Sequence, residues 1–166
     1  MFYGEIVGSV PEELRSTLVA PVPPEMQKLR IGNIVGLTWQ FDTLDGLSVC
    51  PESQFGYKGL VQAILELGMQ ATGHEPCRIG VIVSQGPARE LATDVDSWHT
   101  EEILGPDYYG LIASNINGTQ LETAGGSIIE ASDFEVTLIG YQTSHRAQPD
   151  QGDEFRSRIT VGYFTK

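Results

Sequence analysis

The chain has 166 residues, of which 22 are acidic and 10 are basic, so its formal charge is −12 at neutral pH; 40% of the residues are apolar. This length and apolar share predict one folded domain over residues 1–166, with a core that needs no disulfide or metal. They exclude a disordered chain. No apolar run approaches about 18 residues, which excludes a membrane-spanning helix. The acid excess also argues against a surface that grips nucleic acid or an anionic membrane.

Two cysteines, Cys50 and Cys77, are the only thiols. Two cannot build the disulfide framework of a small secreted domain. The amino terminus has neither the basic start nor the apolar stretch of a signal peptide. We therefore expect free thiols and a cytoplasmic protein, or one incorporated into a particle assembled in the cytoplasm.

The first distinctive segment along the chain is rich in proline. Residues 2–10 alternate as a short strand does, and residues 19–28 contain Pro21, Pro23 and Pro24. Closely spaced prolines force an extended backbone. The sequence predicts a stiff connector, or an arm that reaches a neighbouring subunit.

A strong strand pattern follows over residues 29–41, where apolar side chains occupy most odd positions and polar or small ones most even positions. This period of two predicts a strand of thirteen residues with one buried face. The pattern breaks at Asn33, between Gly32 and Gly36, which predicts a bulge or bend there. A strand of this length is typical of a barrel-like or strongly twisted sheet.

Helical periodicity is clearest over residues 55–72, and Gly73 stands where a helix often ends. Residues 88–104 fit a second, poorer helix, because several of them have low helix propensity. Between the two, residues 78–83 predict a buried strand.

From Tyr108 onward the chain predicts strands. Asn117-Gly118 is a strong hairpin signal, residues 143–155 predict a polar loop, and residues 158–165 predict a last strand. The sequence therefore predicts a single α+β domain, mostly antiparallel sheet or a partial β-barrel, with one firm helix and the second over 88–104.

Motifs that mark common chemistries are absent. The sequence contains no phosphate-binding loop, no Gly-x-Gly-x-x-Gly, no Gly-x-Ser-x-Gly and no His-Glu-x-x-His. We accordingly predict no catalytic residue, no metal and no cofactor.

An acidic segment lies near His99. Its acidic side chains are those of Glu90, Asp94, Asp96, Glu101 and Glu102. Carboxylates with one imidazole can bind a divalent ion or form an acid–base pair. In a helix, however, Asp94 faces with Glu101 while Asp96 faces with His99, so the set does not converge. The pattern favours a solvated acidic face that serves as an interface.

A basic patch follows His145 and consists of Arg146, Arg156 and Arg158. Arginines of this kind can bind a carboxylate or phosphate through paired hydrogen bonds. They can equally dock the acidic segment of a neighbouring copy.

The leading hypothesis is a non-enzymatic structural or assembly subunit that works in many copies with itself and other proteins. A virion component such as a head–tail connector, tail-end or capsid-decorating protein is its most concrete form. The first alternative is a small cytoplasmic enzyme or ligand-binding domain at the mouth of a β-rich cavity, using His99 with Asp96 or the pair Arg146 and Arg156. The second is an acidic inhibitor or immunity-type protein that masks a basic partner.

Overall fold

A computed structural model describes residues 4–93 and 97–166. In this part of the chain, short 3-10 turns cover Glu12–Leu14, Pro24–Met26 and Glu102–Leu104. The α-helices are α1 (Arg15–Val19), α2 (Leu44–Val49), α3 (Lys58–Thr72) and α4 (Ala88–Thr93). The strands are β1 (Glu5–Ser9), β2 (Leu29–Ile31), β3 (Ile34–Phe41), β4 (Arg78–Pro87), β5 (Tyr108–Ser114), β6 (Thr119–Glu122), β7 (Ile128–Glu130), β8 (Glu135–Gly140), β9 (His145–Ala147) and β10 (Phe155–Phe164).

The strands form two sheets. The larger has seven strands in the order β1-β8-β5-β10-β4-β3-β2, and the smaller has three in the order β7-β6-β9. Every pair of neighbouring strands is antiparallel. The prediction of an α+β domain built mostly of antiparallel sheet is confirmed.

One face of the seven-stranded sheet packs against α3. Successive side chains of a strand point to opposite faces, and Ile159, Val161 and Tyr163 of β10 are buried on the helix side with Leu60 and Ile64 of α3. The predicted helix over 55–72 is confirmed in type, begins at Lys58 and ends at Gly73. Burial of this apolar face supplies most of the driving force for folding.

The other face of the same sheet borders a cavity. Ile82 and Ser84 of β4 lie on this face, beside Arg158 and Thr160 of β10. Polar and apolar side chains alternate with the buried core positions along these two strands. The sheet therefore separates a packed core from an open site.

The long strand predicted over 29–41 is instead a hairpin. β2 and β3 pair antiparallel, with Ile31 opposite Ile34, so Gly32 and Asn33 form a two-residue turn. Gly32 has φ +59°, the left-handed backbone that this kind of turn requires at its first position. The break in the pattern at Asn33 marked a reversal of the chain, not a bulge.

The hairpin predicted at Asn117-Gly118 does not pair the strands beside it. β5 belongs to the large sheet and β6 to the small one, so this turn connects the two sheets. The hairpin turn of this region lies at Gly125-Gly126, where the N–H of Thr123 donates to the carbonyl of Ser127 at 2.8 Å.

The second predicted helix, over 88–104, does not extend to its predicted end. Helix α4 covers Ala88–Thr93, residues 94–96 lie outside the described part, and His99 lies in an isolated β-bridge. Thr93 has low helix propensity, and the extended backbone at His99 is stabilised by pairing with His145. Residues 143–155, predicted as a polar loop, contain this partner in strand β9.

The proline-rich segment packs on its own domain. Val22 is buried, and its N–H donates to Oε1 of Gln85 at 2.8 Å, while Nε2 of Gln85 donates to the carbonyl of Ala20 at 2.8 Å. Pro21 and Pro24 are exposed and Pro23 is half-buried; their place in an interface stays a prediction. Within the described ranges, no helix is long and apolar enough to cross a bilayer.

Candidate metal centre

Three side chains from two distant segments meet at the cavity: His99, Glu101 and His145. The backbones of His99 and His145 exchange two hydrogen bonds, 3.1 and 3.0 Å long, and the N–H of Glu101 donates to the carbonyl of Tyr141 at 3.1 Å. This pairing places His99 in an isolated β-bridge, whereas Glu101, at the start of the following 3-10 turn, has φ −107° and ψ 34°. The side chains of His99 and Glu101 both line the cavity.

The donor atoms are close enough to share one ion. Nε2 of His99 and Nε2 of His145 each lie 3.5 Å from Oε1 of Glu101, and the two imidazole centroids are 4.3 Å apart. One donor atom from each residue lies within 4.8 Å of the others. Two imidazoles and one carboxylate on one side of an ion leave its remaining positions open, the arrangement of mononuclear non-haem Fe(II) oxygenases.

Second contacts orient both imidazoles. Nδ1 of His99 lies 2.8 Å from the carbonyl of Ser97, and Nδ1 of His145 lies 2.8 Å from the carbonyl of Thr143. A carbonyl can only accept, so each Nδ1 is protonated and each Nε2 is the ring nitrogen that faces Glu101. Histidines that bind metals are commonly held in this way.

The carboxylate of Glu101 is kept ionised. A hydrogen bond from His145 is the main cause that lowers its pKa, and the charges of both histidines and Arg158 add to it, while burial opposes them. A deprotonated carboxylate is the form that binds a cation. The three residues therefore suit a divalent metal in geometry, tautomer and charge.

The cavity beside the cluster has a volume of about 360 Å³. Its polar lining consists of the three clustered residues with Ser84, Tyr108, Arg158 and Thr160. The rest of the lining is aliphatic and includes Leu29, Ile31, Ile82 and Leu104. A concave site of this size, with a few converging polar groups, is typical of a small-molecule site.

Arg158 is the cation of this cavity. Its guanidinium forms no hydrogen bond or ion pair with any residue that the structure describes. Burial, with a smaller contribution from the charge of Arg156, lowers its pKa to about 10, so it remains charged at neutral pH. An unpaired, poorly solvated cation in a cavity favours an anionic ligand.

Hydroxyl groups surround this arginine on the sheet. Arg158 stands opposite Ser84 of β4 and Ser114 of β5, and Thr160 is two residues along β10. Oγ of Ser114 is buried and has no hydrogen-bond partner in the described chain. Guanidinium and hydroxyl donors in one row suit the oxygen atoms of a carboxylate.

Tyr108 closes another side of the cavity. Its ring lies over the cross-strand pair Gly110 and Gly162, where an added Cβ would approach the Tyr108 ring or hydroxyl to 2.9–3.0 Å. Burial, with the charge of Glu101, raises the pKa of Tyr108 to about 12. The hydroxyl therefore stays protonated near the cluster.

The described members of the predicted acidic face lie in different surroundings, and its role as an interface stays a prediction. Glu101 turns into the cavity, Glu90 is half-buried and accepts a hydrogen bond from Asn33, and Glu102 is exposed. Asp94 and Asp96 lie outside the described residues. Helical spacing would separate His99 from Glu101, whereas His99 lies in a β-bridge and both side chains line the cavity.

The predicted basic patch is also divided. The guanidinium of Arg146 stacks over Trp98, 5.0 Å from its ring centroid, and Nε donates to Gln120. Arg156 is buried and donates to the carbonyls of Gln148 and Asn117. Only Arg158 reaches the cavity.

The sequence analysis did not predict that the three clustered residues lie together. His99 and Glu101 belonged to the acidic segment, and His145 belonged to the basic patch. The available signal was the spacing His-x-Glu followed by a distant histidine, then arginines on the last strand. This spacing indicates a common site only if the segment that contains His99 and Glu101 is not helical.

No protein-family model and no curated protein sequence matches this chain. Its fold, however, is similar to that of several solved structures, a prolyl-4-hydroxylase and a dioxygenase among them. The structural match to a Pseudomonas putida prolyl-4-hydroxylase covers 98% of this chain and 91% of that protein, with a TM-score of 0.56 and 12% identity. For AviO1 of Streptomyces viridochromogenes Tue57 the shares are 98% and 89%, with a TM-score of 0.54 and 13% identity. For the rice dioxygenase for auxin oxidation they are 93% and only 64%, with a TM-score of 0.55 and 10% identity.

These findings correct the leading hypothesis. The prediction of a non-enzymatic structural, assembly or virion subunit is wrong, because the chain has a fold shared with enzymes and a cavity that contains two imidazoles and a carboxylate. The alternative of a small enzyme at the mouth of a β-rich cavity is better supported. Of its proposed chemical groups, His99 lies in the centre, whereas Arg146 and Arg156 lie outside the cavity lining.

Proposed function

We propose that this protein is an Fe(II)-dependent dioxygenase that uses 2-oxoglutarate as co-substrate. The observation that carries the proposal is the convergence of His99, Glu101 and His145 in one cavity with Arg158, which has no hydrogen bond or ion pair among the described residues. The similarity in fold to a prolyl-4-hydroxylase and an auxin dioxygenase supports it.

The chain's own residues divide the work of binding. Nε2 of His99, Nε2 of His145 and the carboxylate of Glu101 would hold the ion, and bound Fe(II) would supply the redox chemistry with O2. The open positions suit a 2-oxo acid, whose keto and carboxylate oxygens can chelate a metal.

Arg158 would bind the other carboxylate of 2-oxoglutarate. The protein carries a net charge of −12, so a dianion needs a specific cation to enter. The hydroxyls of Ser84 and Thr160 also line the cavity near this arginine and can donate to the same carboxylate. Fixing both ends of the co-substrate would orient it for reaction.

The overall reaction balances as R–H + 2-oxoglutarate + O2 → R–OH + succinate + CO2. One oxygen atom of O2 enters the alcohol and the other enters succinate. The four electrons that reduce O2 come in pairs from the C–H bond and from the oxidative decarboxylation of 2-oxoglutarate.

Anaerobic titration of 2-oxoglutarate into the Fe(II)-loaded protein tests the proposal. We expect the visible charge-transfer absorption of an Fe(II)–2-oxo acid chelate, followed by succinate formation when O2 is admitted. Glu101→Ala should abolish both signals, while Glu102→Ala, an exposed neighbour, should retain them. Absence of the absorption band in the wild-type protein, or equal signals in both variants, would contradict the proposal.

A further inference from the structure

The cavity has a second wall that the metal and 2-oxoglutarate do not use. In contrast to the polar groups around Arg158, this part of the lining is aliphatic. We call it the apolar wall, and it consists of Leu29, Ile31, Ile82 and Leu104. These side chains come from β2, β4 and the 3-10 turn after the metal ligands. Three separate segments thus contribute apolar side chains to one cavity.

The apolar wall is unusually exposed. The exposed fractions are 48% for Leu29, 57% for Ile31, 50% for Ile82 and 40% for Leu104. These are four of the ten exposed large hydrophobic residues in the described ranges, and they line the same cavity. Clustered exposed apolar side chains mark a binding surface, whereas single ones are ordinary.

The position of Ile82 is the strongest sign of an occupant. β4 lies between β10 and β3 in the seven-stranded sheet, and Ile82 pairs with Thr160 on one side and Thr38 on the other. An isoleucine at an inner strand is normally covered by a packing layer, yet half of this side chain is open. A molecule that enters the cavity would cover it and remove its apolar surface from water.

The charged groups that line the cavity indicate that this molecule carries no negative charge. Outside the metal ligands, Arg158 is the one charged residue among the described residues lining the cavity. The proposed function commits Arg158 to 2-oxoglutarate, so a second anion would find no partner here and would meet a protein of charge −12.

We infer that the molecule oxidised at this site is an uncharged, predominantly aliphatic small molecule that lies on the apolar wall. The inference rests on the proposed function, since it assigns the polar half of the cavity to the metal and 2-oxoglutarate. It adds the class of the second substrate, which would bind by hydrophobic contact with its C–H bonds toward the metal centre.

Matched probes of one chain length test the inference. 1-Octanol and octanoate are titrated calorimetrically into the full chain loaded with Fe(II) and saturating 2-oxoglutarate under nitrogen, so that no turnover occurs. We expect 1-octanol to bind at least about tenfold more tightly than octanoate, because the charged head cannot be desolvated without a partner. Octanoate binding as tightly as 1-octanol, or no binding of 1-octanol, would overturn the inference.

Two variants locate the binding surface. Ile82→Asp should weaken 1-octanol binding about tenfold or more, because it places a charge on the apolar wall. Ile128→Asp is the matched control, since Ile128 is 59% exposed in a strand of the small sheet and does not line the cavity. Equal binding of 1-octanol by the two variants would show that the probe binds elsewhere and would overturn the assignment.

Binding of 2-oxoglutarate to the same samples separates this inference from the proposed function. If wild-type protein binds 2-oxoglutarate but not 1-octanol, the inference alone fails. If it binds 1-octanol with the expected dependence on Ile82 but does not bind 2-oxoglutarate, the proposed function fails and the apolar wall stands as a binding surface.

Discussion

The two faces of the seven-stranded sheet are built from alternate residues of the same strands and do different work. On the helix side, Ile159 and Val161 of β10 are fully buried against α3. On the cavity side, Arg158 and Thr160 of the same strand line an open space with Ile82, which is half exposed. Side chains of the helix side are fully packed, whereas those of the cavity side remain partly open. This difference indicates that the cavity face binds a ligand, while the helix side stabilises the fold.

The polar groups of the two faces differ in the same way. Gln85 lies on the packed side, and its amide bonds to the backbone of Val22 and Ala20 and to Ser157. On the cavity side, Oγ of Ser114 is buried without a hydrogen-bond partner in the described chain, and it lies across the strand pair from Arg158, which lines the cavity. Buried polar groups are usually satisfied, so unpaired ones beside a cavity indicate a ligand.

The largest expected effect is the loss of the metal centre. His145→Ala removes one of the three proposed ligands, and we expect metal affinity to fall by more than about 100-fold, since outer contacts alone are worth about 10–100-fold. His74→Ala is the control, because His74 is exposed and distant from the cluster in sequence. Anaerobic competition with a chelator measures the Fe(II) affinity of both variants. Equal affinities would contradict the prediction that the cluster binds the metal.

The two faces should respond differently to the same substitution. Ile159→Ala leaves a hole in the packed core and should lower the free energy of unfolding by about 3 kcal/mol. Ile82→Ala, on the open face, should cost less than about 1 kcal/mol. Urea unfolding of both variants measures the difference, and similar losses would mean that the cavity face is also a packed core.

Two arginines on one face of β10 are expected to have different roles, since Arg156 bonds to backbone carbonyls and Arg158 lines the cavity. Arg156→Met removes the donor of the part-buried hydrogen bonds to the carbonyls of Asn117 and Gln148 and should cost about 2–3 kcal/mol of stability. Arg158→Met removes a cation that has no partner, so stability should be unchanged or higher while binding of 2-oxoglutarate is lost. Thermal unfolding and anaerobic calorimetry separate the two roles, and the opposite assignment would follow if Arg156→Met were the variant that lost only the ligand.

A smaller effect is expected where a polar group on the packed face is paired. Gln85→Leu should destabilise the protein by about 2 kcal/mol, because the N–H of Val22 and the carbonyl of Ala20 lose their partner. Gln40→Leu, an exposed position on β3, should change stability by less than about 0.5 kcal/mol. Chemical unfolding would contradict this role of Gln85 if the two variants were equally stable.

The packed face could be predicted from the sequence, and the site could not. The helical stripe over 55–72 and the alternation in residues 29–41 depend on local periodicity, which burial against one layer imposes. The metal centre depends on a bridge between His99 and His145, which are 46 positions apart and pair only in the folded chain. Local reading also assigned residues 97–104 to a helix, which turned Glu101 away from His99 and concealed their common side.

The hairpin at Gly32-Asn33 shows why a correct pattern gave a wrong element. A two-residue turn keeps the period of two within each strand but shifts its phase, because Ile31 and Ile34 face the same side although they are three positions apart. In the sequence this shift appears only as the irregularity at Asn33. Only the pairing of Ile31 with Ile34 distinguishes the hairpin from a long strand. This matters for the site, because the hairpin places Leu29 and Ile31 at the cavity.

A crystal structure of the protein prepared without oxygen, with Mn(II) in place of Fe(II) and with 2-oxoglutarate, tests the central claim most directly. We predict one ion bound by Nε2 of His99, the carboxylate of Glu101 and Nε2 of His145, chelated by 2-oxoglutarate whose far carboxylate contacts Arg158. An ion bound by other residues, or a 2-oxoglutarate that leaves Arg158 without a ligand, would contradict the account.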